Sequence, residues 1–449
     1  MGSCGFEFDP QVWNDSNQKE SSLDETWICP HDSYMDSGYC IFHMSVDERS
    51  ELGVTRYQIQ DGFTEAISKD GVKPGFVGCS FENINFEGVD LGEGDATIDL
   101  RHTEFDKLRL KDVDMAPDLY ISNSRLGKVC IDGSRFGNVS WEKSYFNNDF
   151  SADSTEFRGD VDISESEFRY DCIFPEANFR GSADFGFTEF KGENTNFRNV
   201  EFRDRSDFRS SEFQDVVFSG SDFSEIAVFS TTRFRGEAEF EFLSFGGGCV
   251  FDESVFDHDT RFRGSDFQGE SSFREVEFRS WVSFRDCRPG AQLIFDDTKF
   301  RKNLIFVPET AREKNMVSFQ GCLVLDGEIF LPLNILLDLS YATLGNVSLN
   351  TEVSGQNPFD HLFLVKTKFR NFDFEAYENE LKELDYRIYP RTEEVTYKEF
   401  NRDLGDVDVD EMEATLEYAV DDIEDPGLER RFKESTARIK STEEEGFIS

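Results

Sequence analysis

From Phe202 onward the large apolar residues fall on a ladder whose steps are five or six residues long. It runs Phe202, Phe208, Phe213, Phe218, Phe223, Phe229, Phe234, Phe240, Phe245, Phe251, Phe256, Phe262, Phe267, Phe273, Phe278, Phe284. From Phe223 the steps alternate strictly, so the period is 11 residues and two periods make 22. Neither a helix, at 3.6 residues per turn, nor a strand, at 2.0, explains this spacing. The ladder extends upstream through Phe197, Phe190, Phe185, Phe179, Phe174, Phe168, Ile163 and Phe157, then less regularly through Phe146, Trp141, Phe136, Ile131 and Leu126. It begins near Phe76, Phe81, Phe86 and Leu91 and continues past Phe284 to Phe295, Phe300 and Phe306. Two residues before each rung stands a small or apolar side chain, such as Thr232, Ala238, Leu243, Cys249, Ser254 or Thr260. The positions between are mostly Asp, Glu, Arg, Gly and Ser. Each unit therefore offers one large and one small inward residue, the requirement for a core stacked along an axis.

The stretches Ala183-Asp184-Phe185, Ser221-Asp222-Phe223 and Ser265-Asp266-Phe267 resemble the pentapeptide-repeat family, in which a small residue, a polar residue and a central Leu or Phe recur. The resemblance implies an all-β solenoid, a right-handed quadrilateral β-helix with four short faces per coil. The 5+6 alternation reads as a looser, Phe-rich variant of strict fives. It covers 76–306 strongly and 307–374 weakly, and at ~4.8 Å between stacked strands the regular part makes a rod of roughly 50 Å.

Residues 307–374 keep the pattern only in places. Ala311 to Asn315 reads as a loop insertion, Leu323 to Leu349 as irregular coils, and Leu364, Phe369 and Phe374 restore steps of five. From Glu375 the period becomes helical. Tyr377, Leu381, Leu384 and Ile388 fall on one face of a helix that Pro390 ends; Met412, Leu416, Ala419 and Ile423 mark a second, and Leu428, Phe432 and Ile439 a third. Three domains are expected: a leader, 1–75; the repeats, 76–374, regular over 76–306 and irregular over 307–374; and a helical region, 375–449. The helices would cap the last coil, or pair two copies of the chain as a homodimer.

Composition sharpens this picture. Among 449 residues there are 49 Phe but 6 Met and 4 Trp, so one residue type fills the interior. The formal net charge is −45, which argues against direct binding to nucleic acid or an anionic membrane. Acidic residues recur in every segment, which favours a halophile-type acidic surface over DNA mimicry. The longest apolar candidate for a span, Ile329 to Leu339, is interrupted by Pro332, Asn334 and Asp338. The N-terminus lacks the pattern of a secretion signal, and nine irregularly spaced Cys suit a reducing cytoplasm better than a disulfide framework.

One cluster carries candidate chemistry. Cys29-Pro30-His31 is followed by Cys40 and His43, two knuckle-like pairs across a short hairpin. Cys29, His31, Cys40 and His43 could fill all four positions of a tetrahedral Zn²⁺, a closed and therefore structural site. Cys4 is a substitute ligand. Such an ion would staple a leader too polar to fold on its own core. Cys79, Cys172 and Cys249 each precede a rung by two and read as small buried hydrophobes. His102, His258 and His361 are isolated, Gly246-Gly247-Gly248 reads as a coil corner, and nothing points to catalysis or an organic cofactor. The expected function is a non-enzymatic, acidic scaffold or protein-binding module in the cytoplasm, its partner an unidentified protein. The resemblance offers two alternatives: a DNA mimic acting on a type II topoisomerase, and a soluble regulatory part of a membrane or channel protein.

Overall fold

A computed structural model describes residues 2–67, 75–90, 97–290, 292–310, 315–332, 334–352, 357–386, 388 and 409–446; for helical residues 409–413 and 438–446 it describes the backbone alone. Leu91, residues 311–314 of the expected loop, Pro390, and the side chains of Met412 and Ile439 lie outside the described residues. The chain divides into two units, Met1–Ala227 and Val228–Ser449. Each is a parallel β-solenoid; the first carries the small N-terminal part and the second the helical C-terminal region.

In the first unit the rungs become columns. Phe146, Phe168, Phe190 and Phe213 are direct partners on successive parallel strands, as are Phe136, Phe157, Phe179, Phe202 and Phe223. Rings in one column stack face to face, for example Phe168 on Phe190 at 5.2 Å and 2°. Rings in neighbouring columns meet edge to face, as Phe174 meets Phe185 at 5.6 Å and 86°. At such separations the parallel rings are offset, and offset-stacked and edge-to-face pairs are the favoured aromatic geometries, so one residue type can fill the interior. The second unit repeats the arrangement with Phe234, Phe256, Phe278 and Phe300.

The corners explain the five-residue steps. A left-handed residue recurs about every eleven positions, as at Lys143, Ser154, Glu165, Glu176 and Phe187 in the first unit and Thr231, Phe242, Glu253, Glu275 and Asp286 in the second. Non-glycine residues avoid this conformation, but here the backbone N–H of each is tied to the following coil: Glu165 N–H donates to the Gly186 carbonyl at 2.9 Å, Glu253 N–H to that of Arg274 at 2.9 Å. The next position is most often Ser or Thr, and its hydroxyl bonds twice. Ser254 Oγ donates to the Phe229 carbonyl at 2.6 Å and accepts the Thr232 N–H at 3.2 Å. Ser221 does the same between Phe197 and Val200. Gly248 serves a different corner: at φ +88°, a Cβ there would stand 2.0 Å from the Glu270 carbonyl oxygen.

Strands lengthen where the ladder is irregular. Ser80–Glu87 and Glu104–Lys111 each run across two faces in the first unit, and Lys299–Val307, Leu323–Leu331 and Thr343–Thr351 do so in the second. At the end of the second unit helix Val409–Asp422 satisfies open groups of the last coil, and helix Pro426–Gly446 packs against it. Thr415 Oγ1 donates to the Leu364 carbonyl and accepts the Lys366 N–H; Asp422 accepts from Asn371 and Phe372. Leu416, Ala419 and Phe432 are buried in this contact. The helix expected to run to Ile388 stops at Glu383, because Asp385 and Tyr386 adopt left-handed backbone and turn the chain. Among the described residues no helix is long and apolar enough to cross a membrane.

Candidate metal centre

The leader folds around short local devices. Strand Glu7–Phe8 pairs antiparallel with Trp27–Ile28, so the chain before it lies beside the chain after it: Cys4 N–H bonds the His31 carbonyl at 2.8 Å. Asp9 caps helix Pro10–Asn17, and a reciprocal Ser45/Glu48 cap starts helix Val46–Glu51. Helix Arg56–Ile67 lays Phe63 on Phe76, Phe81 and Phe86, joining the leader to the first rungs.

These contacts bring Cys4, Cys29, Cys40 and His43 together, with all four donor atoms within 4.8 Å of one another. The sulfurs of Cys29 and Cys40 are 3.8 Å apart; His43 Nδ1 lies 3.3 Å from Cys40 Sγ and 3.8 Å from Cys4 Sγ. A tetrahedral ion ~2.3 Å from sulfur and ~2.0–2.1 Å from nitrogen needs S–S edges of about 3.8 Å and S–N edges of about 3.6 Å. The cluster could therefore hold a metal ion with little movement. The other ring nitrogen of His43 is 2.8 Å from the Val77 carbonyl, the second contact that fixes the tautomer of a ligating imidazole. Phe6 stacks on the same ring at 3.8 Å, and Gly78, at φ +72°, leaves room for Phe6: a Cβ there would stand 2.7 Å from its ring.

The facing thiols of Cys29 and Cys40 are driven in opposite directions. The Cys40 thiol is brought down to about 4, first by the hydrogen bond from Cys29 and then by His43, while Cys29, as donor, is pushed up. Arg49 is buried nearby, its Nε bonded to the Ile41 carbonyl and one terminal nitrogen to those of Phe42 and Ser80. Its positive charge bears on Cys79 and Cys40. Three thiolates, an imidazole and a divalent cation carry a net −1, and a buried guanidinium is a fitting counter-charge.

His31 stands outside this group. Its Nε2 is 2.9 Å from the Gly75 carbonyl and its ring stacks on Phe76 at 5.1 Å. Cys29, Cys40 and His43 come together as their spacing suggests, and Cys4 stands where the one-residue gap between Cys29 and His31 was read as a ligand pair. The signal for Cys4 lay in the pairing of Glu7–Phe8 with Trp27–Ile28, which no spacing rule encodes. Cys79 is buried beside the cluster, its Sγ 3.2 Å from His43 Nε2, and burial pushes its thiol well up. Burial likewise raises Cys172 and Cys249. His361 faces the Ile335 carbonyl at 3.2 Å, and His102 packs between Phe8 and Trp13.

Comparison with known proteins bears on the coils. Residues 243–288 match the family model described as pentapeptide repeats (9 copies). Among solved structures the chain is similar to HetL, a pentapeptide repeat protein involved in heterocyst differentiation regulation from the cyanobacterium Nostoc sp. strain PCC 7120. The identity is 11%, over 73% of this chain and 98% of that one, with a TM-score of 0.19. No curated protein matches. Residues 243–288 are thus pentapeptide repeats, and the coils around them repeat the same rung, corner and hydroxyl stitch.

Proposed function

We propose that this protein is a non-enzymatic scaffold that binds a partner protein through the outer corners of its coils. The observation that carries this reading is the placement of Phe187 and Phe242. Both sit at left-handed corners, at φ 57°, and both are more than half exposed, whereas the ladder phenylalanines are sealed inside. A bulky ring in this conformation costs roughly 1–2 kcal/mol and exposes apolar area. Exposed aromatic anchors of this kind are what a partner's pocket covers at a binding hot spot. On one face of the first unit, Arg135, Arg158, Arg180 and Arg203 stand among Asp114, Glu156 and Glu201. Arg158 pairs with Asp114 at 3.0 Å and Arg203 with Glu201 at 2.8 Å. Acids neutralised in pairs support protein binding over imitation of a DNA phosphate stripe.

In this reading the leader, 1–75, is stapled to the first coils by one structural Zn²⁺ on Cys4, Cys29, Cys40 and His43, the repeats display the recognition surface, and the region 375–449 covers the last coil. Cys and His donors in a closed tetrahedron suit Zn²⁺ above other divalent ions. Two experiments test the proposal. Partner capture from the host lysate at native salt should be lost in Phe187→Asn/Phe242→Asn while the melting temperature holds, since Asn tolerates the left-handed corner. Unchanged capture by that variant would remove the reading. Purified protein should contain about one zinc per chain, lost in Cys40→Ser and Cys4→Ser but kept in His31→Gln. A folded, metal-free wild type contradicts the staple.

A further inference from the structure

In the first unit, helix Pro10–Asn17 and the residues after it lie along the solenoid wall and border a half-open cavity of about 630 Å³. Its lining inverts the charge balance of the chain. Lys19, Arg125, Lys143 and Arg169 reach it, with Glu104 the one acid among the described lining residues, in a chain where acids outnumber Lys and Arg by 92 to 47. The four cations come from different places: Lys19 from the leader, Arg125 from one coil, Lys143 from a left-handed corner, and Arg169 from beyond the strand that pairs with Tyr145–Phe146. Tyr145 stands directly beside Arg125 on the neighbouring strand. Two of them are held only loosely by their present partners. Arg125 is 3.7 Å from Glu104 and Lys143 is 3.8 Å from Glu165; Arg169 meets Glu167 at 2.8 Å, and Lys19 rests over the Tyr145 ring at 4.3 Å and touches its hydroxyl. Half-exposed pairs of this kind contribute little and exchange partners readily. His102 sits in the lining, held by Ser21 Oγ at 2.8 Å, and Trp13 meets it edge-on at 4.6 Å.

We infer that this cavity binds a ring-bearing organic diphosphate, of which a nucleoside diphosphate is the simplest form. The terminal phosphate of such a ligand brings roughly −1.5 to −2 charges at neutral pH and the inner one about −1, a total near −3 that matches four cations less Glu104. Arg125 and Arg169 offer planar forks that suit phosphate oxygens, Lys19 and Lys143 offer point charges, and the Trp13 indole offers a face for the ring. The volume lies within the ~300–1,000 Å³ of ordinary small-molecule sites. The acidic balance of the chain as a whole disfavours anions, so such a ligand is directed to a recess where cations outnumber acids.

The test is calorimetric titration of the full chain with ADP, pyrophosphate and AMP at fixed ionic strength. One site is expected, with ADP tightest. Trp13→Ala should weaken ADP about tenfold and leave pyrophosphate nearly unchanged, since stacking on an aromatic ring is the contact removed. Arg125→Glu/Arg169→Glu should weaken both by about a hundredfold or more. Arg279→Glu, on the wall of the second unit, should leave both unchanged, and near-ultraviolet circular dichroism reports that each variant stays folded. Four results would overturn the inference. These are no binding of either ADP or pyrophosphate, equal binding by the double variant, ADP no tighter than pyrophosphate in the wild type, and tighter binding of polyglutamate than of ADP, which would assign the cavity to an acidic peptide.

Discussion

Ser254 illustrates what a single position does in this fold. Its hydroxyl bonds a buried carbonyl of one rung and a buried N–H of the next corner, so Ser254→Ala leaves these two groups only the longer 3.3 Å bond that they make to each other. The expected cost is roughly 0.5–1.5 kcal/mol in chemical denaturation, with Ser254→Thr restoring most of it, since the Thr155 and Thr188 hydroxyls donate in the same way to the carbonyls of Ile131 and Ile163. Cys322 makes it too, with its thiol donating to the Phe295 carbonyl at 2.7 Å. The small residues before each rung were legible as small; that many of them must carry a hydroxyl was not, because the groups they satisfy belong to a neighbouring coil. His102 gives a pH-dependent counterpart. Burial, with Arg101 adding to it and Asp99 opposing, holds its imidazole down to about 4 against an ordinary 6.5. The unfolded chain takes up a proton near 6.5 that the folded chain refuses until about 4. The stability from this group is therefore full above pH 6.5 and lost as pH falls to about 4. Melting curves should show a smaller drop across that window for His102→Gln than for wild type, because protonation of the many carboxylates affects both alike.

At the scale of elements, the phenylalanine column is the unit of stability. Phe179 stacks on Phe157 at 4.7 Å and on Phe202 at 5.0 Å, with its ring fully buried. Phe179→Ala should cost roughly 3–5 kcal/mol, read from the denaturant midpoint, since flanking rings fixed by their own strands cannot collapse into the gap. Phe179→Leu, which keeps most of the volume, should cost less. The rungs were readable from the spacing, because single steps of five and six fit neither the 3.6 of a helix nor the 2.0 of a strand, and their stacking into coils is what the family resemblance implies. The ends were less so. Leu381 and Leu384 obey helical spacing, yet the helix stops at Glu383, since the left-handed backbone of Asp385 and Tyr386 overrides periodicity. The metal cluster shows the same limit. Cys29, Cys40 and His43 lie close enough in sequence to be read together, whereas Cys4 joins them only through strand pairing.

For the whole molecule, the regularity that makes the fold legible also hides the function. Rungs and stitches are buried and belong to architecture, while recognition falls to positions that break the pattern outward. Phe187 and Phe242 follow the chemistry of neither rung nor corner: rungs are buried, and the other left-handed corners carry mostly Lys, Ser, Glu, Asp, Asn or Thr. Their meaning emerges only when exposure and backbone conformation are seen together. The most direct test of a surface-acting scaffold is covalent footprinting of the full chain, free and in complex with its captured partner. The account predicts protection centred on Phe187, Phe242 and the polar residues around them. Protection that leaves both rings as reactive as in the free chain would contradict it.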